Sequence, residues 1–425
     1  MTGNGFEPSG MSRLPVHQSK LPRVRPHSFW SGLKHKLAPV DFGELIEIAM
    51  RRTHLDDFGE PPFEDALRTL VDACNTEAGL NLFGRFAARQ HMLDLLETRL
   101  RLVDYWRQTP EIRKQAIHRP LFITGMPRSG STFLHDLLAQ DPDNRVPLTW
   151  EVMFPLPVPR REGIGSDPRI RKAENRLRWL LWTRPSIVKA HPIGARLPQE
   201  CVAIMSYSFQ SDEFLCTFRI PSYENWLRTC DLGPAYGFHR RFLQHLQWLC
   251  PGERWVLKAP DHVHALPSLL GIYPDARIVF LHRDPLKVLG SVASLTKLLL
   301  DAFGNHINTR QVGADEARIL VDKAVKIMEF QDRNPSLADR FINVRYLDLI
   351  RDPIATVQRI YERFGVTLSA DTHARMRVFL GAERRKGRAK HIYRLADFGL
   401  DPNREKPRFA AYYERFTIEC EPSPE

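Results

Sequence analysis

Apolar residues recur at three- and four-residue steps from about residue 41 to residue 118. Phe42, Leu45 and Ile46 form one set, Phe63, Leu67, Leu70 and Val71 a second, and Met92, Leu95, Leu96, Leu100 and Val103 a third. That period predicts amphipathic helices, interrupted by the turn-rich stretch 56–62. Beyond residue 118 the pattern changes. Short apolar runs at 121–124, 255–257, 277–281 and 341–345 each precede a helical stretch. Such runs predict strands buried on both faces, and therefore a parallel sheet with helices over it. The fold class expected is α/β, a central parallel sheet flanked by helices with right-handed crossovers. A helical N-terminal region at 39–118 precedes it, and a helical, aromatic-rich insertion at 140–253 separates the first two strands. Its Trp150, Phe154, Phe209, Phe214 and Trp226 suit helix packing and the wall of a substrate pocket.

The first run stops at Gly125, and a loop rich in Gly and Ser leads to Phe133, Leu134, Leu137 and Leu138 at helical spacing. Strand, tight loop and helix start together aim backbone N–H groups and the positive end of a helix dipole at one spot. A phosphate or sulfate is the natural ligand there. Four residues separate Gly125 from Gly130, and Ser131-Thr132 follow, close to a Walker A pattern. The Lys expected after Gly130 is missing, and the cation is Arg128, inside the loop. This departure speaks for a phosphorylated cofactor other than a hydrolysed nucleoside triphosphate.

The run at 277–281 leads to Arg283 and through Asp284-Pro285 into a helix predicted at 287–295, with Ser291 inside it. A guanidinium at a strand tip and a hydroxyl on the next helix can converge on one phosphate. Taken alone, the pair has a plainer reading: Arg283 pairs with Asp284 or a helix end, and Ser291 is a small packing residue. Beside the loop, it suggests two anion sites on neighbouring strand ends, which suit a nucleoside phosphorylated at both ends. Ligands of such sheets bind beyond the carboxyl ends of the strands.

GMPRSGSTFLH followed by RIVFLHRDPLKVLGSVASL resembles the sulfotransferase family that uses 3′-phosphoadenosine 5′-phosphosulfate, and its bacterial branches most closely. The resemblance covers roughly residues 119–400 and implies a P-loop NTPase-like catalytic domain there, with 401–425 as a C-terminal tail. It implies that Pro127, Arg128, Ser129, Gly130, Ser131, Thr132 and Phe133 hold the 5′ side of the cofactor. Arg283 and Ser291 have the family's separation for the 3′-phosphate, and Arg385, Lys386 and Gly387 resemble a late basic element at the same phosphate. Tyr346 resembles a tyrosine on the adenine side, though a half-buried strand aromatic is the plainer reading. The loop carries Arg128 where the animal cytosolic enzymes carry Lys. Lys258, in VLKAPDHVH, would stand near the departing oxygen. For the base, the family's branches point to His262 or to Glu151. Histidine needs little tuning, whereas Glu151 would need burial; its place just after the loop-helix segment favours Glu151. Glu200 is a further candidate for facing the acceptor.

The formal charge of +11 fits an anionic partner. Basic–aromatic interleaving, a zinc finger and a helix-turn-helix pattern are all missing, so no nucleic acid partner is expected. A kinase-like enzyme with a degenerate P-loop is the other alternative. It would need the missing Lys and a strand ending in a metal-holding Asp; no metal is expected. The six cysteines are dispersed, as in reduced cytoplasmic proteins. No apolar stretch reaches the ~18 residues of a membrane span, and no signal-peptide block opens the chain. Residues 1–38 read as a basic, disordered arm, either a solvated tail or a peripheral contact with an acidic membrane through Phe29, Trp30 and Leu33. The aromatic insertion favours a hydroxylated small-molecule acceptor: lipid-like, sterol-like, quinone-like or a glycolipid. The resemblance also implies a homodimer.

Overall fold

In the computed structural model, residues 39–183, 192–305, 307–386 and 393–421 are described; the arm at 1–38 lies outside them. Five parallel strands form the sheet: β1 (Leu121–Gly125), β2 (Asn144–Arg145), β3 (Arg254–Lys258), β4 (Arg277–His282) and β5 (Phe341–Arg345). Their order is β2-β3-β1-β4-β5. Four of them coincide with the apolar runs. The edge strand β2, set against β3 with Asn144 opposite Arg254, lies inside the region expected to be a helical insertion. Two polar residues offer neither an apolar run nor an alternation to read.

The helices that position the site are α1 (Phe42–Thr53), α2 (Glu64–Thr76), α3 (Leu82–Gln108), α4 (Ser131–Leu138), α5 (Thr149–Met153), α6 (Gly233–Gln247), α7 (Pro285–Phe303), α8 (Thr309–Arg333) and α9 (Ala370–Lys386). The first three supply the expected helical region, with Asp41 capping α1 through the Glu44 N–H. α7 is longer than the predicted 287–295. It begins at Pro285, because proline at the first helical position gives up only an N–H that lacks an intrahelical acceptor.

Successive strand side chains point to opposite faces, and the core divides accordingly. Phe122, Trp255 and Leu257 pack among Leu96 and Leu100 of α3 and Phe242 of α6. On that same face Ile278 and Phe280 meet Leu289 of α7 and Leu320 of α8. Leu121, Ile123, Val256 and Val279 turn the other way, onto Leu134 and Leu137 of α4 and Met376 of α9. A one-residue slip of β1 would invert these sets, so the register is fixed. Ile123 lies beside Lys258 and Gly125 beside Leu281, which brings the carboxyl ends of β3, β1 and β4 side by side.

Candidate active site

The loop after β1 is shaped by backbone constraints. Gly125 has φ +119, and a Cβ there would stand 2.4 Å from the Leu281 carbonyl oxygen. Only glycine fits. The Met126 N–H donates to that same carbonyl at 3.0 Å, tying the loop to β4. Gly130 (φ 85) is the N-cap of α4, and no side chain caps this helix. The N–H groups that open α4 have no intrahelical acceptor, the arrangement that suits an anion.

β4 delivers Arg283 to the same corner. Its Nη1 donates to the Arg128 carbonyl oxygen at 2.6 Å, and its guanidinium lies 3.9 Å over the Tyr346 ring. Nε and Nη2 both donate to the Glu421 carboxylate at 2.7 Å. From α7, Ser291 accepts a hydrogen bond from Arg128 Nε at 3.1 Å. The loop, the β4 tip and α7 thus meet beyond the strand ends.

A cavity of about 1320 Å³ opens over these strand ends. Pro127, Arg128, Gly130, Ser131, Thr132 and Phe133 line it, as do Lys258, Arg283, Ser291 and Tyr346. Ser129 does not. It is fully buried, and its hydroxyl donates to the Met126 carbonyl, so its side chain shapes the loop from within. Arg385 lies in the last turn of α9 and outside the cavity lining; Lys386 ends that helix, and Gly387 lies outside the described residues.

Lys258 is 2% exposed; its Nζ donates to Thr132 Oγ1 at 3.3 Å and to the Glu200 carboxylate. Glu200 lines the cavity. Neither Glu151 nor His262, the two bases expected from sequence, is among the lining residues. Glu151 is buried in an ion pair with Arg145 of β2, and its Oε2 accepts from the Leu148 N–H at 2.9 Å. That geometry makes it the brace between β2 and α5. His262 bonds through Nδ1 to the Tyr236 hydroxyl at 2.7 Å. Burial pushes its imidazole down to about 3, with Asp261 opposing and Lys258 and Lys323 reinforcing. So weak a base is ill-matched to abstracting a proton near neutral pH.

Sequence reasoning passed over two residues of this site. Tyr393 lines the cavity; its ring lies so close to Gly290 that a Cβ there would meet it at 2.4 Å. Glu421 reaches Arg283 from the other end of the chain and carries no local signal. Among the described residues, no group of three or more His, Cys, Asp and Glu is arranged as metal ligands. No described helix is long and apolar enough to cross a membrane.

Comparison with known proteins bears on this geometry. The model of the sulfotransferase family matches residues 120–370. Among solved structures, sulfotransferase STF1 of Mycobacterium tuberculosis is 33% identical, with a TM-score of 0.79 over 88% of this chain and 100% of that one. Sulfotransferase STF9 of Mycobacterium avium is 31% identical, with a TM-score of 0.80 over 89% of this chain and 97% of that one. A curated relative, omega-hydroxy-beta-dihydromenaquinone-9 sulfotransferase Stf3 of Mycobacterium bovis, is 27% identical over 267 residues, 58% of this chain. The match spans 63% of that relative's length.

Proposed function

This chain belongs to the sulfotransferase family, and from that premise we propose that it moves a sulfuryl group from 3′-phosphoadenosine 5′-phosphosulfate to a hydroxyl of a lipid-like acceptor. The observation that carries the reading is the convergence of the Gly130 helix start, Arg128, Ser291 and Arg283 on one cavity corner. The start of α4 at Gly130, together with two guanidinium groups in the cavity wall, fits a nucleotide phosphorylated at both ends. When bound, that nucleotide supplies the sulfuryl group and an adenosine bisphosphate leaving group.

The chain's own residues then divide the work. The α4 N–H groups and Arg128 hold the 5′ anion, and Arg283 with Ser291 the 3′-phosphate. Lys258 faces the point where negative charge develops and stabilises it there. Glu200, rather than Glu151 or His262, takes the proton of the acceptor hydroxyl, because it is the carboxylate beside Lys258 in the cavity wall. Leu148, Leu197, Val202, Leu215 and Phe218 give the cavity an apolar side, which supports a hydroxylated lipid or quinone-like acceptor; the menaquinone derivative named for the curated relative is of that class. All six cysteines are unpaired, which supports action in a reducing compartment such as the cytoplasm. The arm at 1–38 supplies basic charge for peripheral contact with an acidic membrane.

The test is incubation with donor and a panel of hydroxylated lipids and quinones, followed by mass spectrometry. Products heavier by one sulfo group, formed only with the donor, are expected. Transfer of phosphate from ATP instead would overturn the reading.

A further inference from the structure

The cavity extends well beyond the loop and the Lys258–Glu200 pair. Along α7, Thr296 lies five residues past Ser291, about 7.5 Å further along the helix axis. Val292, Leu295 and Leu300 of α7 and Val312 and Ile319 of α8 form an apolar wall there. Charged side chains are set into that wall. Glu316 and Lys323 are seven residues apart on α8 and so share one face.

Nearly every carboxylate of this region has a cation of its own. Asp261 accepts from Lys323 Nζ at 2.5 Å, and Asp212 is bound by Arg228. Glu224 accepts from Arg318 at 2.9 and 3.0 Å, and Asp315 from Arg219 at 3.0 Å. Glu316 differs. It is only 8% exposed and lines the cavity, and one oxygen accepts from the Thr296 hydroxyl at 2.5 Å. Among the described residues no cation pairs with it, and its second oxygen meets no donor. Burial pushes its pKa up to about 7, with Asp261 and Glu224 reinforcing and Thr296 and Lys323 opposing. A buried carboxyl group with spare acceptor capacity is costly unless something in the cavity satisfies it.

We propose that Glu316 is an acceptor-recognition residue: it takes a hydrogen bond from a second donor group, a hydroxyl or a protonated amine, carried by the acceptor's apolar body at a distance from the hydroxyl that is sulfated. The acceptor is then an amphiphile with polar groups at two places, gripped by Lys258 and Glu200 at one and by Glu316 at the other. This inference rests on the sulfuryl-transfer reading for what happens at the first group, while recognition at the second stands on Glu316 alone.

The test uses straight-chain primary alcohols of increasing length, each offered bare, with a terminal hydroxyl and with a terminal amine. Binding is measured by calorimetry, with and without adenosine 3′,5′-bisphosphate, to the native protein, E316Q and E316A. At the length that spans the two sites, the terminal donor is expected to tighten native binding by about tenfold to a hundredfold. E316A loses this gain while binding the bare alcohols as the native protein does. E316Q loses the amine's gain and keeps part of the hydroxyl's, which distinguishes the two donors and guards against misfolding of E316A. No gain at any length in the native protein, or a gain that survives in E316A, would overturn the proposal. Failure of the native protein to take up the nucleotide would instead sink the sulfuryl-transfer reading, and the nucleotide-free titrations would still decide the role of Glu316.

Discussion

At the scale of single residues, the divided roles of the two glutamates make the sharpest prediction. Glu200→Gln should cost about a hundredfold or more in turnover at saturating donor and lower stability only modestly, because the Gln amide oxygen can still accept from the buried Lys258 ammonium. Glu151→Ala should do the reverse. It strands Arg145, itself 8% exposed, without its ion-pair partner, a loss on the order of 3–5 kcal/mol. Initial rates and melts of the two variants check both; a Glu151 variant with native melting and collapsed turnover would reverse the assignment. Lys258 was legible because it closes an apolar run. The proposed base was not: Glu200 lies 58 residues away from Lys258 in the chain and meets it only through folding. Glu151 drew attention by following the loop-helix segment, and its true partner sits on β2, a strand too short to read.

At the scale of elements, β1, the loop and α4 were legible because buried strands, a glycine-pinned turn and a helical period each leave a signature in sequence. The segment at 418–421 leaves none, being short and aperiodic. It is nonetheless anchored: the Glu421 N–H donates to Asp284 Oδ2 at 2.8 Å, and Tyr413 donates to Asp284 Oδ1 at 2.5 Å. This anchorage sets the Glu421 carboxylate on two nitrogens of Arg283, where the proposed 3′-phosphate would compete with it. Glu421→Gln should therefore tighten adenosine 3′,5′-bisphosphate binding, by about tenfold, in a calorimetric titration. Weaker binding would show instead that Glu421 supports the nucleotide site.

At the scale of the whole molecule, α/β architecture followed from the succession of apolar periods, whereas the packing of polar groups inside it did not. His135, His239, His245, His262 and His282 are almost fully buried. Burial, their largest common cause, holds His135, His239 and His262 down at about 3 and His245 and His282 at about 4. These folded values lie below the ordinary value near 6.5 of an unfolded histidine. Between about pH 4 and 6.5 the unfolded chain therefore binds more protons than the folded one, and stability falls as pH drops through that window. Each histidine contributes about 1.4 kcal/mol per pH unit there. Melting temperatures should fall steeply between about pH 6.5 and pH 5; a flat profile would mean that these imidazoles are not held neutral.

The nucleotide gripped at both ends is tested most directly by comparing the affinities of adenosine 3′,5′-bisphosphate and adenosine 5′-monophosphate for the native protein and for Ser291→Ala with Arg283→Ala. The bisphosphate should bind the native protein at least about tenfold more tightly, and the double variant should lose most of that difference while keeping its affinity for the monophosphate. Equal affinities in the native protein would contradict a second anion site at Arg283 and Ser291.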